Sequence, residues 1–361
     1  MSNIVVAGRL GAPIILQTIV EGLRNLGHGV AYHEDAAAFQ RAGASLAETD
    51  IVIAAPGFPC TKALMASAPS LRGVISPITG FDNIDSEAAT ELGIIVANGQ
   101  VPENTESMAE ATILLMLAAL YDMHGTEAVL RHNLPRPVRM KARMLQGKTV
   151  GVIGYGQIAQ AVVARLAGWN VNILAHARRA RADTDTVRFV GLEELLTASD
   201  IVCVLTNLHA GSRGLLNGER LRLLKQGAVL VNTARGAIID EAALIEVARE
   251  RPDLLLALDT FTVEPLPPDS PLRDIPNAIL TPHMLGHTQE SADALPPAAI
   301  ENTQRILAGE LPLYVCNPDV VERWQAHWPA VPHPGGRSAN NPSPPALAGG
   351  EGGARCEATG G

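Results

Sequence analysis

Three residues in the second half of the chain have side chains suited to proton transfer on an anionic substrate. They are Arg235 in VNTARGAIID (231–240), Glu264 in ALDTFTVEP (257–265) and His283 in LTPHMLG (280–286). An imidazole titrates near neutrality and can both give and take a proton. A carboxylate beside it favours the imidazolium and holds the ring, and a guanidinium binds a carboxylate or polarises a carbonyl through charge-assisted hydrogen bonds. Each segment follows a short aliphatic run, which places its polar residue at the C-terminal end of a strand, the edge of an open α/β sheet where ligands bind. Asp259 stands at such a strand end too, where supporting a cofactor and a purely structural role both suit it. Singly, each of these groups is an ordinary surface ion or structural histidine; together they specify one acid–base site.

Upstream, GVIGYGQIAQ (151–160) carries a G-x-G-x-x-A pattern at Gly154, Gly156 and Ala159 between a strand and a helix. In that setting Gly154 makes the tight turn, Gly156 lets the backbone approach a pyrophosphate, and Ala159 permits close helix packing. The helix N-terminus then stabilises the phosphate charge. The next strand ends in NILAHARR (172–179), where an NAD site usually has an acid for the ribose 2′-hydroxyl; none is present. Arg178 and Arg179 suit a 2′-phosphate instead, so NADP(H) is expected over NAD(H), the alternative being two solvated surface charges. Thr206 and Asn207 follow the run 201–205, where lining the nicotinamide and an ordinary loop role are both compatible with their type.

The elements that must position these groups show as a rhythm. Apolar runs at 4–7, 51–54, 74–76 and 94–97 alternate with helical stretches at 14–26, 61–68 and 86–92. A second series has strands at 150–153, 171–174, 201–205, 229–232, 255–258 and 279–280, with helices such as 158–166 and 241–248. This alternation predicts parallel sheets with helices on both faces. The expected fold class is α/β, with two Rossmann-like, doubly wound domains, one flavodoxin-like and one dinucleotide-binding, and a cleft between them. The expected boundaries are a discontinuous substrate domain at 1–99 and 287–328, a Rossmann domain at 100–286, and a tail at 329–361. Residues 107–120 are apolar on every face but for Glu110, which predicts a helix buried in the core or between domains or subunits. The tail is rich in Pro, Gly, Ser and Ala and is expected to be disordered.

Composition narrows the class. At 361 residues with 47% hydrophobic content the chain has apolar material for two cores, and a net charge of −9 without a long basic run disfavours nucleic acid and anionic membrane as partners. Cys60, Cys203, Cys316 and Cys356 are far apart with no C-x-x-C pair, so neither a metal site nor a disulfide framework is indicated. The N-terminus reads as a strand and not as a signal peptide, and the most apolar helix is shorter than the ~20 residues of a membrane span. A cytoplasmic, small-molecule protein is expected.

In the order N-x-A-R-G-x-x-x-D, L-D-x-F-x-x-E-P and T-P-H-x-x-G after the glycine motif, the sequence resembles the D-isomer-specific 2-hydroxyacid dehydrogenases over residues 1 to about 325. The resemblance implies hydride transfer between NAD(P) and a small 2-hydroxy or 2-keto acid. His283 would be the acid in reduction and the base in oxidation, Glu264 its orienting partner, and Arg235 the ligand of the substrate carboxylate. Tyr155, Gln157, Ile158, His176, Thr233 and Ala234 would complete the cofactor contacts alongside Gly154, Gly156, Arg178, Arg179, Thr206, Asn207 and Asp259. The loop SPITGFDNID (76–85) looks like the family's substrate loop, which implies that the backbone N–H groups of Thr79 and Gly80 hold the carboxylate; a tight turn before a helix capped by Asp85 is the alternative. Asn104 matches the family's domain-hinge segment, or it caps a helix. Phosphoglycerate-specific members carry an arginine where this chain has Ser76, Pro77 and Ile78, and no further regulatory domain is suggested. Glyoxylate or hydroxypyruvate is therefore the expected substrate and a homodimer through the cofactor domains the expected assembly. The alternatives are a formate dehydrogenase-like or phosphoglycerate dehydrogenase-like enzyme, and a nucleotide-sensing binding protein.

Overall fold

The structure, a computed structural model, describes residues 2–330. Nearly all of the tail expected to be disordered therefore lies outside the described residues. The described residues divide into two compact units, 2–99 with 297–330, and Gln100–Pro296.

In the first unit, β1 (Asn3–Ala7), β2 (Gly29–His33), β3 (Ile51–Ala54), β4 (Gly73–Ile75) and β5 (Ile95–Ala97) form one parallel sheet in the order β2-β1-β3-β4-β5. This is the flavodoxin-like order, with its switch point between β1 and β3. The connecting helices are α1 (Pro13–Asn25), α2 (Ala36–Arg41), α3 (Lys62–Ala66) and α4 (Ser86–Leu92). β3, β4 and β5 are buried along their whole length, as expected of parallel strands covered on both faces. Asp85 caps α4, its Oδ1 accepting the Ala88 N–H at 3.0 Å.

The second unit begins with α5 (Pro102–Leu120) and α6 (Met123–Arg131). It continues through β6 (Thr149–Ile153), α7 (Gln157–Arg165), β7 (Asn172–His176), β8 (Val187–Phe189), α8 (Leu192–Ala198), β9 (Ile201–Val204), α9 (Gly218–Arg222), β10 (Val229–Asn232), α10 (Glu241–Glu250), β11 (Leu255–Leu258) and β12 (Ala278–Leu280). Its sheet has the order β12-β11-β10-β9-β6-β7-β8, all parallel. That is the dinucleotide-binding order, reversing between β6 and β9, with seven strands where six were expected. The added strand, β8, is a three-residue edge strand of which only Val187 is buried.

α5 starts at Pro102, ahead of the expected 107, because proline suits the first helical position. One side, including Ala109, Leu115, Met116 and Ala119, lies in the second unit's core against α7, β10 and β11. Leu114 on the other side is 54% exposed, so the helix is a core element with one apolar flank uncovered. α11 (Gln289–Leu307) runs through the unit boundary, and α12 (Val321–His327) returns to the first unit, where Trp324 is fully buried. The boundary falls at Pro296 and Pro297 inside α11, not at the expected 286. Neither proline has a backbone N–H to donate, so the hydrogen-bond ladder of the helix is interrupted at that point.

Candidate active site

β10, β11 and β12 are neighbours in register, with Asn232 opposite Leu258 and Leu258 opposite Leu280. Their C-terminal loops therefore leave the sheet side by side, carrying Arg235, Glu264 and His283. Asn232 shapes the first loop: its Oδ1 accepts the Ala234 N–H at 3.1 Å and its Nδ2 donates to the Arg235 carbonyl at 3.0 Å. Gly236 packs against the second loop, since a Cβ there would stand 1.9 Å from the Phe261 carbonyl carbon. A side chain at this position would push apart the backbones that carry Arg235 and Glu264. Arg235 Nη1 also donates to the Ala234 carbonyl at 2.8 Å.

Glu264 Oε2 meets His283 Nδ1 at 2.7 Å, while Oε1 accepts the Phe261 N–H at 3.0 Å. Burial pushes the Glu264 carboxyl up, but the hydrogen bonds from His283 and Phe261 and the charges of His283 and Arg235 outweigh it and hold it below the ordinary range. Glu264 is thus an ionised partner at neutral pH that fixes the Nδ1 side of the imidazole. His283 has φ +54°, a left-handed conformation that is uncommon outside glycine and clusters at functional sites. Its loop is pinned around it. The His283 N–H reaches the Thr281 carbonyl at 3.0 Å, and Asp259 Oδ1 accepts both Thr281 Oγ1 at 2.7 Å and the Met284 N–H at 3.2 Å. Ser107 of α5 donates to the Gly286 carbonyl at 2.8 Å.

The remaining polar atoms suit a dinucleotide. Gly154 has φ +92°, and a Cβ on it would stand 2.7 Å from the backbone of Thr206, so the β6 and β9 loops touch at the switch point of the sheet. Gly156 caps α7, and the position of its missing Cβ is open, leaving room for a phosphate at the helix N-terminus. Asp259 is 1% exposed, and burial, set against its hydrogen bonds and the His283 charge, pushes its carboxyl up. Its Oδ2 and the Thr260 hydroxyl are buried without a hydrogen-bond partner, which is the setting an amide or hydroxyl donor from a cofactor would satisfy.

Of the other expected cofactor residues, Tyr155 stacks edge-on to Phe189, Gln157 opens α7 and accepts from Gln100 at 2.6 Å, and Ile158 follows it in the first turn. His176 ends β7 with its Nδ1 3.2 Å from the Val190 carbonyl, and Arg178 and Arg179 are exposed just beyond. The Asn207 carbonyl accepts the Ser212 hydroxyl at 2.8 Å. Ala234 is half-buried between Thr233 and Arg235. Thr233 is buried and its hydroxyl pairs with Thr112 of α5 at 3.0 Å. Asn104 does not cap α5. Val101 occupies the cap position, and Asn104 Nδ2 bonds Ser291 Oγ at 3.3 Å.

Within the first unit, Thr79 and Gly80 lie in the loop after β4. Ser76 is buried and donates to the Gly80 carbonyl at 2.5 Å. Two residues near the expected groups were not anticipated. The His287 ring stacks on His283 with centroids 6.4 Å apart, signalled by a second histidine four positions on, and Arg181 lies over the Tyr155 ring at 5.5 Å, the third arginine of RRAR.

Residues 113–284 match the model of the NAD binding domain of the D-isomer specific 2-hydroxyacid dehydrogenases. The chain is 35% identical over 269 residues to a glyoxylate reductase of Thermofilum pendens, covering 72% of this chain and 78% of that one. It is 36% identical over 274 residues to a D-3-phosphoglycerate dehydrogenase of Methanocaldococcus jannaschii, covering 75% of this chain but only 52%, about half the length, of the relative. A solved NADPH-dependent glyoxylate/hydroxypyruvate reductase of Sinorhizobium meliloti, in complex with citrate, superposes with a TM-score of 0.75 at 25% identity, covering 88% of this chain and 99% of the other. With the dinucleotide sheet and the ordered loop motifs already described, these likenesses make the chain an oxidoreductase that belongs to the D-isomer-specific 2-hydroxyacid dehydrogenase family.

Proposed function

We propose that the protein reduces a small, unphosphorylated 2-keto acid, glyoxylate or hydroxypyruvate being the best candidates, with His283 as general acid. The observation that carries this reading is the 2.7 Å Glu264–His283 pair, with the Arg235 charge acting on the same carboxylate, at the strand ends of the dinucleotide sheet. The bound nicotinamide supplies the hydride. His283 Nε2 delivers the proton to the developing alkoxide while Glu264 stabilises the imidazolium form and keeps the ring in place. Arg235 binds the substrate carboxylate and polarises the carbonyl. Within the first unit, the Thr79 and Gly80 N–H groups are the ones suited to hold a carboxylate. In the oxidation direction His283 takes the hydroxyl proton. Ser76 presents no cation at its loop position, which argues against a phosphorylated substrate.

NADPH is the preferred cofactor in this reading, supported by Ala177 at the strand end and the exposed Arg178 and Arg179 that follow. A homodimer is supported by α6, which has no buried residue, and by the exposed Leu130, Leu134, Val138, Met140 and Met144. The test is oxidation of NADPH and of NADH with a panel of 2-keto acids and phosphohydroxypyruvate, for wild type and His283→Ala. Turnover of glyoxylate or hydroxypyruvate that falls by ~10²–10⁴ in the variant, with unchanged nucleotide affinity, is expected. Tighter NADH binding would overturn the cofactor preference, and turnover only with the phosphorylated acid would overturn the substrate.

A further inference from the structure

We propose that Asn98 is a positioning residue for the substrate carboxylate. Its side-chain amide sets the orientation of the Thr79–Gly80 peptide so that the Gly80 N–H is presented to the ligand. This rests on the reading of the 76–85 loop as a carboxylate site and concerns the first unit alone.

Three successive carbonyls of this loop are each held from the protein side. Gly99 N–H donates to Ile78 O at 2.9 Å, Asn98 Nδ2 to Thr79 O at 2.7 Å, and Ser76 Oγ to Gly80 O at 2.5 Å. A trans peptide is planar with its C=O and N–H on opposite sides, so a donor that holds the carbonyl of one residue also aims the N–H of the next away from itself. Holding Ile78 O therefore directs the Thr79 N–H, and holding Thr79 O directs the Gly80 N–H, the two groups assigned to the carboxylate. Gly99 acts through its backbone and is insensitive to side-chain identity. Asn98 acts through its side chain, and the Thr79–Gly80 peptide orientation depends on it.

Asn98 is itself held firmly. It is 3% exposed, with its N–H on the Tyr314 carbonyl at 3.3 Å and its carbonyl accepting Asn302 Nδ2 at 3.2 Å. Asn302, fully buried in α11, accepts the Leu313 N–H at 2.7 Å. The Asn98 Oδ1, by contrast, is buried without a partner. An unsatisfied buried acceptor is unfavourable, so burying asparagine here is explained by what the other half of its amide does, which is to donate to Thr79 O. Turning the amide over would set Oδ1 against Thr79 O, two acceptors facing each other, so the donor assignment is the only one that satisfies this contact.

The test is calorimetric binding of oxalate, a stable dicarboxylate of 2-keto acid shape, to the enzyme–NADPH complex, together with steady-state kinetics on glyoxylate. Asn98→Ala is expected to raise the oxalate Kd and the glyoxylate KM by about tenfold or more, with a far smaller change in kcat and none in NADPH affinity, the pattern of lost uniform binding. Asn98→Asp, which keeps the size but faces Thr79 O with an oxygen, is expected to be at least as impaired. Gly80→Pro, which lacks the N–H itself, tests the underlying loop reading. Weakened oxalate binding in Gly80→Pro but not in Asn98→Ala overturns the role of Asn98 alone. No weakening in either, or no oxalate binding by wild type, overturns the loop reading and this inference with it. A parallel fall in kcat and NADPH affinity in Asn98→Ala would reduce Asn98 to a structural residue and overturn the proposal.

Discussion

In the proposed mechanism, Glu264 serves both the chemistry and the fold. The hydrogen bonds from His283 and the Phe261 N–H hold its carboxyl below the ordinary range despite burial, so folding favours the ionised form. For a depressed carboxyl this contribution is complete above the ordinary glutamate pKa of about 4.3 and is lost as the pH falls through the lower folded value. Glu264→Gln should therefore melt below wild type at pH 7, with the gap closing as the pH drops beneath about 4. Thermal melts at a series of pH values check this, and a gap that stays constant across the series would mean that the pair contributes nothing through its charge. The loops that carry Arg235, Glu264 and His283 were legible in the sequence because each follows a run of aliphatic residues that had to be a strand, and parallel strands put their C-terminal ends on one edge. The partners that set their conformation were not. Asn232 folding the Arg235 loop, Gly236 against the Phe261 backbone and Asp259 bridging to Thr281 are contacts between segments far apart in the chain, and no local pattern encodes them.

Central strands and their covering helices could be read from composition because burial on both faces demands continuous apolar runs. The missed strands, β2 and β8, are both sheet edges. β2 has no fully buried residue and β8 has one, so neither carries the signal. The same reasoning accounts for α6, whose residues are all at least partly exposed. α12 is the opposite case, a short helix anchored by a single large side chain. Trp324 is fully buried in the first unit and its Nε1 donates to the Arg72 carbonyl at 2.7 Å. Trp324→Ala should cost ~3–5 kcal/mol in urea or guanidinium unfolding. Trp324→Phe should cost clearly less, because the Arg72 carbonyl keeps the Ile95 N–H at 3.2 Å. Equal losses in the two variants would show that the hydrogen bond, and not the packing, holds the helix.

Among the described residues, exposed apolar side chains concentrate in the segment from α6 through Met144. Leu130 is 88% exposed and Val138 fully so, an exposed apolar patch of the kind that marks interaction surfaces. If a second copy covers this stretch, light scattering should give twice the 38.0 kDa chain mass for wild type. The double variant Leu130→Glu with Leu134→Glu should run as a monomer, since burying unpaired charge in an apolar interface is strongly unfavourable. A monomeric wild type at micromolar concentration would remove the dimer from the proposal.

Periodicity and motif order were enough for the two α/β sheets, the glycine turn between β6 and α7, and the placement of Arg235, Glu264 and His283 in loops at one sheet edge, because these follow from local rules: strand burial, turn chemistry and the spacing of side chains along a strand. Which polar atom meets which followed from packing. Thr233 turning to Thr112, Asn104 to Ser291 and Asn98 to Thr79 each depend on segments brought together from distant parts of the chain. A hydrogen bond needs its partners within about 3 Å and in line, and such closeness between distant residues exists only once the core has formed.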